Sequence, residues 1–148
     1  MSYRVPASHH GRVSLHGAIP YFPARSVDAT AAFYRDRLGF EIAYQAEGFA
    51  RVVRDDVELH LWESSDEEWR DRADFASNPV CSGAEDFIAG TASCRIQVSN
   101  VDDLYAEMRS AEVLHYRDPG SPTDTDFGTR ELAVTDHDGN LIVFFRRR

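Results

Sequence analysis

Cysteine is scarce: Cys81 and Cys94 are the two thiols among 148 residues, and their spacing is not that of a CxxC pair. Two such residues make no disulfide framework, so reduced thiols in the cytoplasm are expected, with Cys94 a small core residue. No apolar run approaches the roughly 20 residues a membrane helix requires. The opening MSYRVPASHHGRVSLHG lacks the apolar stretch of a secretory signal, so neither a membrane helix nor a secretory signal is expected, and the cytoplasm is the expected compartment. Positive charge is also in deficit, 16 Lys and Arg against 25 Asp and Glu. The net charge of -9 repels nucleic acid phosphates and favours cationic partners, although acidity serves solubility as well. The terminal run Arg146 to Arg148 is too short to reverse that balance. Finally, GxSxG, GxxxxGK[ST], HExxH and GxGxxG are all missing, which removes the usual signposts of nucleophilic, nucleotide-dependent and zinc-protease chemistry.

What is present is the composition of a folded globular chain, 43% hydrophobic and 28% charged, long enough for one domain spanning 1–148 with a substantial core. Along it, GAIPYF (Gly17 to Phe22) reads as a strand whose Pro20 requires an edge or irregular position. SVDATAAFYRDRLGF reads as an amphipathic helix: Ser26 caps it, Asp28 sits in the first turn, Val27, Ala31, Tyr34 and Leu38 form the apolar stripe, and Gly39 ends it. EIAYQ, ARVVRD and VELHLWE then read as strands, the last two joined by a turn at Asp55-Asp56.

The stretch 64–90 loses this patterning and is a connector, with one short helix expected near 66–73. Its carboxylates either form a charged lid or a solvated helix face with Trp69 turned inward. From about 91 to 146 the plan of 17–63 repeats. TASCRIQV is a strand, NVDDLYAEMRSAE a helix capped by Asn100 with Val101, Tyr105 and Met108 on its stripe, and VLHYRD, RELAVTD and NLIVFFR are strands. DHDGN forms the last hairpin turn, where Gly139 supplies positive φ. Val27-Asp28 and Val101-Asp102 stand 74 positions apart at the starts of the two helices, which together with the common element order points to an internal duplication. The fold class is therefore α+β, two tandem βαβββ modules whose strands form a curved mixed sheet with the helices outside.

The period-2 pleat assigns faces. In VELHLWE, Val57, Leu59 and Leu61 turn to the core, leaving Glu58, His60 and Trp62 on the other side. In TASCRIQV, Cys94, Ile96 and Val98 face the helices and Ser93, Arg95 and Gln97 face away. NLIVFFR is apolar on both sides, so either orientation puts a phenylalanine on the far face. A solvated sheet face carries few large rings, whereas a ligand cleft is apolar with a few placed polar groups, and this face collects Glu58, His60, Trp62, Arg95 and Gln97 beside a phenylalanine. His9, His10, His16, His115 and His137 have no companion ligands in the sequence and read as surface or structural residues.

Taken together, the βαβββ repeat, AIPYFPARSVDATAAFYRDRLGFE, the hairpin FARVVRDDVELHL, the second helix start NVDDLYAEM and the closing FGTRELAVTDHDGNLIVFF resemble the vicinal oxygen chelate superfamily, and within it the bleomycin resistance proteins. The resemblance runs from about Ala18 to Phe145. It implies metal-ligand positions at Ile19, Glu58, Arg95 and Val143, and it turns Val143 and Phe145 toward the cleft. One donor among four, or two if His60 assists, falls short of the three protein donors such sites use, and Arg95 puts a positive charge where the ion would sit. No metal and no other cofactor are expected.

His60 then serves as a cleft contact or as an ordinary strand residue, Trp62 as a cleft aromatic, and Arg95 either pairs with Glu58 or touches ligand. The resemblance also implies that Phe49 and Phe127 sandwich a flat heteroaromatic group, while Glu47 is what is left of an acidic cluster that attracts a cationic end. It implies a homodimer with clefts between subunits. The function expected is non-catalytic sequestration of a bleomycin-type glycopeptide or a similar cationic aromatic molecule, conferring resistance. A metal-dependent lyase or dioxygenase of the same superfamily, and a protein that binds or senses a small metabolite, are the alternatives.

Overall fold

The computed structural model describes residues 12–64, 73, 77 and 89–148. The connector's expected helix and Trp69, together with Cys81, His9 and His10, lie outside the described residues. The element order is β1 (Tyr21–Ala24), α1 (Val27–Leu38), β2 (Glu41–Ala46), β3 (Phe49–Arg54), β4 (Val57–Glu63), then β5 (Ser93–Gln97), α2 (Val101–Ser110), β6 (Thr123–Asp124), β7 (Thr129–Thr135) and β8 (Leu141–Arg147). This is βαβββ twice. Each module carries its own four-stranded mixed sheet, in the orders β1-β4-β3-β2 and β5-β8-β7-β6. In both, the first strand lies parallel to the last and the remaining pairs are antiparallel. Among the described residues no helix is long and apolar enough to cross a membrane.

Local chemistry sets the helices. Ser26 is extended and its side chain accepts from the Ala29 N–H, and Gly39 closes α1 in the left-handed region at φ 75 while donating to the Tyr34 carbonyl. A side chain there would also collide with the Arg54 guanidinium, 2.8 Å from an ideal Cβ. Asn100 caps α2 in the same way by accepting from Asp103 N–H. The stripes Val27, Ala31, Tyr34, Leu38 and Val101, Tyr105, Met108 are buried against the sheets, with Leu59, Leu61, Val52, Val134, Ile142 and Phe144 opposite them. Each large apolar side chain removed from water here contributes on the order of 1.5–3 kcal/mol. Cys94 packs at the margin of this core, where burial, and then the charge of Asp136, push its thiol up to about 11.

Two strand expectations need correction. β1 begins at Tyr21 instead of Gly17, and the proline within it is Pro23. Among the described residues β1 is an edge strand paired with β4, so a missing N–H at Pro23 is tolerated, while the Pro20 carbonyl still accepts from His60 N–H just ahead of the strand. VLHYRD is not a strand: Leu114 makes one isolated bridge to Val134 and the chain then turns. The reason is local bonding that competes with a ladder, since Arg117 N–H donates to His115 Nδ1 and Gly120 N–H donates to the Asp118 carboxylate. The place of that strand in the module falls to β6.

The modules are joined by the turn after β7. Asp138 accepts from Arg25 N–H and Thr30 Oγ1, Asp136 accepts from the Tyr34 hydroxyl, and the Asn140 amide donates to the Pro23 carbonyl. Gly139, at φ 91, makes that turn. A bidentate Arg54–Glu107 pair ties β3 to α2 at 2.6 and 2.9 Å.

Candidate functional site

The face of each sheet opposite its helix forms a wall. On the first module, the ladder sets Phe49 beside Trp62 and Arg51 beside His60. Rings run across it without a gap: Tyr44 to Phe49 at 6.2 Å, Phe49 to His60 at 5.2 Å edge-on, His60 to Tyr21 at 6.4 Å, and Tyr21 to Trp62 at 5.5 Å. Tyr21 and Tyr44 are 55% and 53% exposed, so this aromatic surface is open, whereas Trp62 at 9% is nearly covered. Rings stacked or edge-on at such spacings contribute about 0.5–1.5 kcal/mol beyond their buried area, and an exposed row of them offers the same to a planar guest.

Polar groups on this wall satisfy one another. His60 Nε2 lies 2.7 Å from Glu58 Oε2, and Arg51 donates to Glu58 Oε1 at 3.1 Å. The contact with His60 first, and the Arg51 pair after it, hold the Glu58 carboxyl below its ordinary range despite some desolvation. An ionised carboxylate only accepts, so the imidazole nitrogen facing it is the protonated one. Glu47 lies in the β2–β3 turn, exposed at the end of the wall.

On the second module, Arg95 is paired across the β5–β8 ladder with Val143 and lies over the Phe145 ring at 4.6 Å. Its carboxylate partner is Glu131, not Glu58 as the sequence suggested as one option. The reason is topological: β7 flanks β8 within the same sheet, whereas Glu58 belongs to the other sheet, where it is already held by Arg51 and His60. Val143 and Phe145 do turn to the wall while Ile142 and Phe144 are buried, the orientation expected for this strand. A cavity of about 310 Å³ opens on this wall, bordered by His115, Arg117, Asp118, Thr123, Glu131 and Val143. Phe127, at the β6–β7 turn, is 66% exposed.

The structure thus brings Phe49, His60 and Trp62 together and places Arg95 on a different wall. Among the described residues no hydrogen bond, ion pair or ring contact joins Phe49, Glu58 or His60 to Arg95, Phe127 or Phe145. Tyr21, Tyr44, Arg51, Glu131 and the cavity-lining His115 escaped the sequence reading. Tyr44 escaped for a definable reason. Strict alternation puts it on the core side with Ile42, but a register shift between Ile42 and Tyr44 turns it to the wall beside Arg51.

A chelating set does not fit. Ile19 and Val143 carry no donor, Arg95 is a fixed cation, and among the described residues no group of three His, Cys, Asp or Glu side chains could hold a metal ion.

The family model described as "Glyoxalase/Bleomycin resistance protein/Dioxygenase superfamily" matches residues 18–144. The chain belongs to this superfamily. A curated relative from Geobacillus stearothermophilus, named bleomycin resistance protein, is 44% identical over 130 residues, covering 88% of this chain and 96% of the relative. Among solved structures, the bleomycin-binding protein from bleomycin-producing Streptomyces verticillus, complexed with copper(II)-bleomycin, is 30% identical with a TM-score of 0.64, covering 90% of this chain and 97% of that one. A bleomycin resistance determinant encoded on the transposon Tn5 shares the fold, with a TM-score of 0.66 at 22% identity over 90% of this chain and 99% of that one. Both modules are included in each match.

Proposed function

We propose that this protein sequesters a bleomycin-type glycopeptide antibiotic, or a cationic aromatic molecule like it, without making or breaking a bond, and so confers resistance in the cytoplasm. The observation that carries this reading is the unbroken row of rings from Tyr44 through Phe49, His60 and Tyr21 to Trp62, on a sheet face whose described residues include no chelating set. A planar heteroaromatic group gains stacking and apolar burial on this row, and the net charge of -9 draws a cationic ligand in through the long-range field. The names and ligands of the relatives agree with this reading.

The cleft forms between two copies of the chain. Phe127 stands exposed and makes no ring contact with Phe49 within the described residues, so the second side of an aromatic sandwich comes from another protomer. Val13, Leu15 and Ile19, in the segment ahead of β1, are also exposed apolar residues that a second copy would cover. Glu47 supplies charge at the mouth, and Arg95, locked between Glu131 and Phe145, shapes the second wall.

Tryptophan fluorescence tests the assignment because Trp62 sits in the ring row. Bleomycin should change the emission saturably, and Phe49→Ala should raise the dissociation constant by about tenfold, the equivalent of one lost stacking contact near 1.4 kcal/mol. An unaltered constant in Phe49→Ala would remove the ring row from recognition.

A further inference from the structure

The duplication creates two equivalent grooves, each between the β-hairpin turn of one module and the helix start of the other. The first is filled by the chain itself. There the turn 136–140 seats Asp138, its side chain 1% exposed, against Arg25 and Thr30, with the His137 ring 5.8 Å from Phe33. The second is open. Opposite α2, the two-residue turn Asp55-Asp56 stops short, and a cavity of about 500 Å³ remains, within the range of small-molecule sites.

The chemistry of the open groove is complementary to one class of guest. Its floor is apolar, made by the buried rings of Phe40 and Phe144 with Ile96. Its rim carries Asp55, Asp56 and Asp103 beside the Arg54–Glu107 pair, and the Arg54 charge also acts on Asp55 through space without an ion-pair contact. The 74-residue offset that superposes the helix caps Ser26 and Asn100 also superposes Arg25 on Ser99. In the filled groove Arg25 meets the carboxylate of Asp138; in the open one the equivalent residue has no charge, and no ion pair among the described residues reaches Asp55 or Asp56.

We propose that this inter-module groove is a second binding site, separate from both walls, for a small organic cation: a primary ammonium or guanidinium group on an aromatic or short hydrocarbon body. The charged head takes the place that Arg25 fills in the twin groove, at Asp55 and Asp56, and the body lies on Phe40, Ile96 and Phe144. The proposal does not depend on what the walls bind.

The test is a titration of the isotope-labelled full chain with phenethylammonium, followed by amide chemical shifts. Saturable shifts are expected at Asp55, Asp56, Asn100 and Leu104. The neutral isostere phenethyl alcohol should bind about tenfold more weakly, as should phenethylammonium to the double variant Asp55→Asn/Asp56→Asn. Ser99→Arg, which restores the chain's own cation, should abolish the shifts while leaving bleomycin binding unchanged. No saturation up to the solubility limit of the amine would overturn the proposal. So would shifts confined to the walls, equal binding of amine and alcohol, or undiminished binding to Ser99→Arg.

Discussion

Thr30 and Asp138 lie 108 residues apart in sequence, yet the Thr30 hydroxyl donates to Asp138 Oδ2 across 2.6 Å in the buried junction between the modules. The bond fixes the second module's last hairpin turn on the first module's helix. Thr30→Val keeps the shape and deletes the donor, leaving a buried carboxylate oxygen short of one partner. The expected loss is about 1–3 kcal/mol in urea unfolding, and a variant as stable as the parent would show that the turn is held by packing alone.

Tyr34 and Asp136 form the neighbouring bond, hydroxyl to carboxylate at 2.8 Å. Burial raises the Asp136 carboxyl above its ordinary value, against the pull of Tyr34 and Asn140, and raises the Tyr34 hydroxyl as well. A carboxyl whose folded value is raised binds its proton more tightly in the folded state, so its contribution falls as pH rises from the unfolded value through the folded one. Tyr34→Phe removes a bond to the charged form and moves the folded value further up. Its destabilisation in urea unfolding should therefore shrink as pH falls through the folded value of Asp136, and a loss that stays constant down the acid limb would contradict a bond from Tyr34 to the charged form.

Much of this was legible in the sequence because it rests on local rules. The caps at Ser26 and Asn100, the stop at Gly39, the apolar stripes and the alternation in VELHLWE each state a period or a turn requirement that the structure obeys. What escaped depended on which strands become neighbours, or on departures from regular pairing. Arg95 finds Glu131 because β7 lies next to β8, which no spacing within β5 reveals. Tyr44 reaches the wall through a register shift, and VLHYRD folds into a turn through bonds made by His115 and Asp118. Recognition of the family oriented the last strand, whose two apolar faces pleat arithmetic alone left undecided.

The proposed sharing of the cleft between two subunits has a direct consequence. If Phe49 of one copy faces Phe127 of the other, a mixture of Phe49→Ala and Phe127→Ala chains, unfolded and refolded together, contains mixed dimers in which one cleft has both rings intact. With random pairing about one quarter of the parental number of tight bleomycin sites should return. Recovery of none would place both rings in clefts that a single chain completes or would separate them altogether.

The central claim, that an aromatic wall whose described residues include no complete chelating set captures a bleomycin-type molecule, is tested most directly by calorimetric titration of bleomycin into the chelator-dialysed protein. The account predicts saturable heat with one ligand per chain and a negative heat-capacity change from apolar burial. Absence of any heat at accessible protein concentrations, or binding that returns only when a divalent metal is added back to the protein, would contradict it.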